Sequence, residues 1–397
     1  MTTHSSSSQS RIDEPFRLFF PIAMFVGIIG VSLWPLFYTG HLSFYPAIAH
    51  TRLMIEGFVG LFIFGFLMTA GPRLLGVSPF TSRTVISILV LTLLCCGAHL
   101  TQHTAFGDLF FTGAITTILL NARSAYTNRQ DTPPPGFPLA ALGLLCGALG
   151  SLALALSTSF VPNATLYQLG KILLFQGFTL LPIVGVGAFF FPRLLGGNNK
   201  HDFPETMAPN AAWKRRFTCS LYVAIAFILS VVLELLAYTQ VAYAIRLVVF
   251  AAYMLSEIPF REFQRKHSMH GLQLIFTLGT IIIGLAGATL FPDQRIAWLH
   301  AYFLTGLTSI IFLVSIRVVF GHSGRPDLIR ASRKPSAWIT LALIAAAATR
   351  IFADYSPSHQ INHYIYTSSI WLLCGLTWMI FVAPKARQPN KKNPGKC

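Results

Sequence analysis

From Phe16 almost to the end of the chain, long apolar runs alternate with short polar connections. Each run is long enough for the roughly 20 helical residues that cross a bilayer. Twelve are predicted, at approximately 16–38, 50–71, 84–101, 106–122, 138–158, 165–191, 216–236, 238–256, 271–291, 297–319, 337–353 and 362–383. Helix breakers mark the joints: Gly71-Pro72, Pro133-Pro134-Pro135-Gly136, Pro192, Pro259, Pro292 and Pro335. Gly143, Gly147, Gly284 and Gly287 suit close helix packing in lipid. The expected fold is all-α, a polytopic transmembrane bundle. Residues 1–15 form a polar, Ser-rich tail, 16–383 the membrane domain and 384–397 a basic tail. The first run is too long for the apolar core of a cleaved signal peptide and is kept as a span.

Composition agrees. Of 397 residues, 54% are hydrophobic and 11% charged, whereas soluble domains carry about 25% charged residues. Twelve spans leave roughly twelve residues per connection, too few for a large extramembrane domain. The net charge of +16 suggests nucleic acid, anionic lipid or membrane orientation. Position decides between them. All 29 Lys and Arg except Arg52, Lys171, Arg246, Arg295 and Arg350 fall in the tails or at connections after even-numbered spans. That asymmetry predicts cytoplasmic termini and removes the nucleic-acid reading.

A repeat is also visible. Ile55-Glu56-Gly57-Phe58 and Pro72-Arg73-Leu74-Leu75-Gly76 return 120 residues later as Phe175-Gln176-Gly177-Phe178 and Pro192-Arg193-Leu194-Leu195-Gly196. Glu56 to Arg73, Gln176 to Arg193 and His300 to Arg317 each span 17 residues. The spacing predicts three parallel four-helix units, with Glu56, Gln176 and His300 at one depth. The plainer reading is chance similarity among Gly/Leu/Phe-rich helices that end in Arg.

Histidine is the informative residue type. His41, His50, His99, His103, His300, His359 and His363 are expected near the outer face, and His4, His201, His267, His270 and His322 near the inner one. A neutral imidazole can ligate haem iron or copper; the ordinary alternative is an interfacial histidine bonded to water or backbone. His99 and His103, four residues apart, would share a helix face. His300 and His322 are separated by about 33 Å of helix and cannot bind one metal. Charges inside spans are functional suspects. Arg52 and Glu56 would pair at four residues' spacing, Glu234 and Arg246 across a short turn, and Lys171 would snorkel. The six cysteines form no C-x-x-C or C-x-x-C-H, so thioether-bound haem and a Cys-rich zinc site lack support. Neither a nucleotide-binding loop nor H-E-x-x-H is present.

Several segments resemble one family. His300-Ala301, then Arg317 and Phe320-Gly321-His322-Ser323-Gly324-Arg325, resemble the H-A … R-x-x-L-G-H-T-G-R segment of the NnrS family. Phe16-Arg17-Leu18-Phe19-Phe20 resembles its opening F-R-P-F-F. Met54, Gly57-Phe58 and Gly65-Phe66-Leu67-Met68-Thr69-Ala70 resemble its second span. The resemblance implies a multi-pass bacterial inner-membrane protein of the nitric oxide response that binds haem and copper. It makes His300 and His322 the leading metal positions, with Arg317, Gly324 and Arg325 beside them, and His50 a partner of His300 at haem or copper. His99 and His103 are further cofactor candidates. Where the family's second span opens W-H-x-H-E-M, this chain has His50, then Arg52 and Leu53. A guanidinium cannot coordinate a cation, so any ligand at the second histidine is absent here. Two other functions remain open. One is a cofactor-free transporter with Arg52, Glu56, Lys171 and Gln176 along a polar route. The other is a membrane redox enzyme of haem–copper type. The bilayer and a small ligand such as nitric oxide are the expected partners.

Overall fold

The computed structural model describes residues 14–195, 198–260, 269–323 and 326–386. Among them there is no strand, and twelve helices are long and apolar enough to cross a membrane. They are α1 (Phe16–Tyr38), α2 (Ala47–Leu75), α3 (Ser82–Leu100), α4 (Thr104–Thr127), α5 (Phe137–Ser159), α6 (Ala164–Leu195), α7 (Ala211–Leu235), α8 (Thr239–Glu257), α9 (Met269–Leu290), α10 (Arg295–His322), α11 (Arg333–Tyr355) and α12 (Pro357–Ala386). Several outrun their apolar cores. α7 starts at Ala211, where the Asn210 side chain accepts from the Trp213 amide at 2.8 Å. Hydropathy reports only the lipid-matched stretch, while a capped helix continues through its polar ends. Pro72 and Pro192 lie inside helices rather than ending them. Transmembrane helices tolerate proline where neighbours satisfy the freed backbone groups.

Burial repeats with a period of four helices. The second helix of each set, α2, α6 and α10, has 72–83% of its apolar window buried. The first, α1, α5 and α9, has 56–67%, and the third and fourth have 33–39%. Three units therefore surround a centre made by α2, α6 and α10. Each central helix also contains a wide π-helical turn: Leu53–Val59, Leu173–Gly177 and Ala301–Leu307. Such turns are rare and concentrate at functional sites.

The third repeat is out of register with its sequence prediction. A Cβ on Gly57 would lie 2.4 Å from Val26 of α1, one on Gly177 2.7 Å from Cys146 of α5, and one on Gly306 2.4 Å from Ile281 of α9. In every unit a glycine in the wide turn admits the preceding helix. The equivalent residues are thus Glu56-Gly57, Gln176-Gly177 and Thr305-Gly306. Thr305, not His300, occupies the third polar position, and His322 matches Arg73 and Arg193. The Arg317 match misled because an arginine at a helix end is fixed by the interface, not by packing.

α12 closes the ring onto α1. A Cβ on Gly27 would lie 2.8 Å from the Trp371 ring, and Trp378 Nε1 donates to Ser315 Oγ of α10 at 3.0 Å. At the end bearing Arg73 and Arg193, called here the basic end, Arg17 donates to Glu14 and to the Ala386 carbonyl. Arg73 donates to the other Glu14 oxygen at 2.9 Å. Burial raises the Glu14 carboxyl, yet the Arg73 hydrogen bond and the Arg17 charge hold it below its ordinary value.

Candidate functional site

Polar groups collect toward the opposite end of the bundle, unit by unit. In the first unit the α2 wide turn carries Glu56 toward α3, four residues after Arg52. Arg52 Nε donates to Asp108 Oδ1 of α4 at 2.7 Å and lies 3.8 Å from Glu56 Oε1. Glu56 Oε2 accepts from Cys95 Sγ at 3.1 Å and lies 2.8 Å from His99 Nε2. Asp108 Oδ1 is 3.9 Å from the same nitrogen. Cys95 and His99 share one face of α3 through their four-residue spacing. Gly107 makes room for the imidazole: a Cβ there would meet its ring at 2.5 Å. Glu56, Cys95, His99 and Asp108 have no exposed surface, and Arg52 is 3% exposed. Glu56 Oε1 and His99 Nδ1 are buried without a hydrogen-bond partner. Ligand atoms of Glu56, Cys95 and His99 lie within 4.8 Å of one another.

The second unit builds a different cluster at the corresponding place. Arg246 NH1 of α8 donates to Glu234 Oε2 at 2.5 Å and to Gln176 Oε1 at 2.6 Å, and its Nε donates to Ser230 Oγ at 2.9 Å. Gln176 Nε2 donates to the Tyr243 hydroxyl at 2.6 Å. Glu56 and Gln176 thus turn toward the outer helices of their own units and not toward each other. Lys171 stands apart, 5.7 Å from the Tyr167 ring. Farther toward the basic end, where α2, α6 and α10 meet, an apolar cavity of about 80 Å³ is lined by Phe62, Phe66, Val186, Phe190, Ile311 and Val314.

His50 and His300 belong to neither cluster. His50 Nδ1 donates to the Gly30 carbonyl at 2.9 Å, and His300 Nδ1 to the Ile296 carbonyl at 2.7 Å. A carbonyl only accepts, so each ring holds its proton on Nδ1 and turns a lone pair outward on Nε2. Neither Nε2 has a hydrogen-bond partner among the described residues. His300 lies within electrostatic reach of His50, and both lie within reach of Arg350. Trp34 packs against His50 at 5.9 Å. Arg350 pairs with Asp354 at 2.7 Å and lies over Tyr364 at 4.7 Å.

The other sequence candidates disperse. His99 and His103 do not share a helix face: α3 ends at Leu100, and Gln102 (φ 63°) turns the chain so that His103 stands exposed beside Thr101. At the basic end His322 has both nitrogens engaged, Nδ1 donating to the Val318 carbonyl at 2.8 Å and Nε2 lying 2.7 Å from Arg73 NH1. A metal at His322 would have to displace Arg73. Arg317 is half-buried and feels the Arg333 charge. Gly324 and Arg325 lie outside the described residues. Sequence reasoning overlooked Asp108 and Cys95. Asp108 carried a usable signal, as an acid within the fourth predicted span.

A profile of one family, described as NnrS protein, matches residues 11–390. The chain belongs to the NnrS family. No curated protein matches the sequence. Within this family's second-span motif, Arg52 now has a visible role. Its guanidinium is the buried cation that Asp108 and Glu56 share.

Proposed function

We propose that this NnrS-family protein acts in the nitric oxide response of a bacterial inner membrane, with His50 and His300 as the residues that would hold haem iron. The observation behind this reading is the matched state of the two imidazoles. Each anchors Nδ1–H on a backbone carbonyl and offers Nε2, as metal-bound histidines do. The donor set therefore fits haem, and the same imidazoles suit copper. Gly30 contributes by its lack of a side chain, since a Cβ there would press on Leu53 and Met54 at 3.1–3.2 Å. Trp34 and Tyr364 supply flat apolar surface next to the pair. When bound, haem would supply iron that takes nitric oxide in place of one of the two imidazoles. The apolar cavity between α2, α6 and α10 would admit a small, weakly polar gas.

His322 is left out of this ligand set because Arg73 takes its free nitrogen, and His99 because it is enclosed by Glu56 and Asp108. The optical spectrum and metal content of the purified protein test the proposal. A Soret band that shifts on adding nitric oxide and is lost in His50→Ala and His300→Ala is the expected result. Absence of both a Soret band and copper would overturn it.

A further inference from the structure

The first-unit cluster has a chemistry of its own. Its donors are a carboxylate (Glu56), a thiol (Cys95) and an imidazole (His99), with a second carboxylate (Asp108 Oδ1) 3.9 Å from the imidazole nitrogen. Mixed O, S and N donors at one point are the ligand set of a borderline divalent cation such as Zn²⁺. A tetrahedral ion with bonds of about 2.0–2.3 Å needs donors a little over 3 Å apart. The separations of 2.8 and 3.1 Å from Glu56 Oε2 to His99 Nε2 and Cys95 Sγ require an opening of roughly half an ångström. Glu56 Oε1 is buried with no hydrogen bond, its nearest charge being Arg52 Nε at 3.8 Å, so the carboxylate has a lone pair left to offer.

Charge counting points the same way. In the second unit one arginine, Arg246, meets one carboxylate, Glu234, and the central residue is the neutral Gln176. In the first unit one arginine, Arg52, meets two carboxylates, and a thiol lies beside them. A divalent cation with Cys95 as thiolate brings the sum of Arg52, Glu56, Asp108, Cys95 and metal to zero, the state a low-dielectric interior favours. The cluster lies at the α3–α4 end of its helices, under the three-residue connection Thr101–His103. That connection is the short way in from the aqueous face.

We propose that Glu56, Cys95 and His99 form a buried three-residue site for a Zn²⁺-class cation, with Asp108 as a neighbouring charge held by Arg52. The site is separate from the His50–His300 pair and does not rest on the haem reading. Binding forms bonds from the metal to Glu56 oxygen, Cys95 Sγ and His99 Nε2 in place of the two hydrogen bonds to Glu56, releases the thiol proton to water and moves the ring proton from Nε2 to Nδ1. No electron transfer is involved.

The test uses the full-length, detergent-purified chain, stripped with chelator and titrated with Co²⁺ as spectroscopic probe. One equivalent per chain is expected, with a thiolate-to-cobalt charge-transfer band that Zn²⁺ displaces. Cys95→Ser should abolish the band while melting like the wild type in chelator, and Glu56→Gln should weaken Co²⁺ binding at least tenfold. His50→Ala and His300→Ala, which remove the haem candidates, should leave the band unchanged. A band that persists in Cys95→Ser overturns the assignment. So does Co²⁺ or Zn²⁺ binding no tighter than that of a Glu56→Gln/Cys95→Ser double variant.

Discussion

The first and second units place a polar residue at the same point of the same wide turn, yet surround it differently. Around Gln176 the charges are matched one to one, and an amide bridges Arg246 to Tyr243. Around Glu56 acid exceeds base, and a thiol and an imidazole complete the wall. An equivalent backbone position has been filled once as a charge-matched salt-bridge network and once as a set of donors. What separates the two is the neutral or charged state of one side chain, not the helix that presents it.

The largest expected effect comes from removing the arginines. Arg246→Met strands Glu234 in the interior and should cost about 3–5 kcal/mol in equilibrium unfolding. Arg52→Met should cost at least as much in chelator, but Zn²⁺ should restore part of it and restore nothing to Arg246→Met. Equal behaviour of the two variants with Zn²⁺ would erase the distinction between the units. Next in size are the wide-turn glycines. Gly57→Ala, Gly177→Ala and Gly306→Ala should each lose about 1–3 kcal/mol by overpacking, while Gly97→Ala, with open space around it, should not destabilise.

Glu56→Gln gives the first cluster the charge ratio of the second. In chelator its stability should stay within about 1 kcal/mol of wild type, because a neutral amide replaces an uncompensated acid. The stabilisation that excess Zn²⁺ gives the wild type, about 2.7 kcal/mol at a hundredfold excess over Kd, should vanish. Smallest is the acid limb set by Glu14, whose carboxyl is held below its ordinary value in the folded chain. A depressed carboxyl contributes stability above its unfolded value, near 4.3, and loses it as pH falls through the folded value. Melting temperature should therefore drop in that acid range for wild type and drop less for Glu14→Gln.

Much of this architecture was legible in the sequence because hydropathy is a local property. Twelve runs of apolar residues need no knowledge of their neighbours to be recognised, and the Glu56/Gln176 repeat survived because its flanking motif is long. The third unit shows the limit. Gly306 is equivalent to Gly57 only through its contact with Ile281, which lies on another helix, whereas His300 and Arg317 matched by spacing alone. The cofactor candidates divided for a similar reason. The Arg52–Glu56 pair was readable from its four-residue spacing, but the shorter bond from Arg52 goes to Asp108, 56 residues away. No spacing rule reaches so far. Nor could spacing reveal that the lone pair of His322 faces Arg73.

The wide turns also set the rotational phase of each central helix. Each residue of an α-helix advances the direction of its side chain by about 100°, so an added residue in one turn sets the angular phase of everything on one side of it against everything on the other. Deleting a single residue between Leu53 and Val59 would leave the Arg73 half of α2 seated and swing His50 and Arg52 round by about that angle, toward different neighbours. The upper and lower halves of each central helix are keyed separately. The wide turn is the coupling that fixes how one half is rotated against the other.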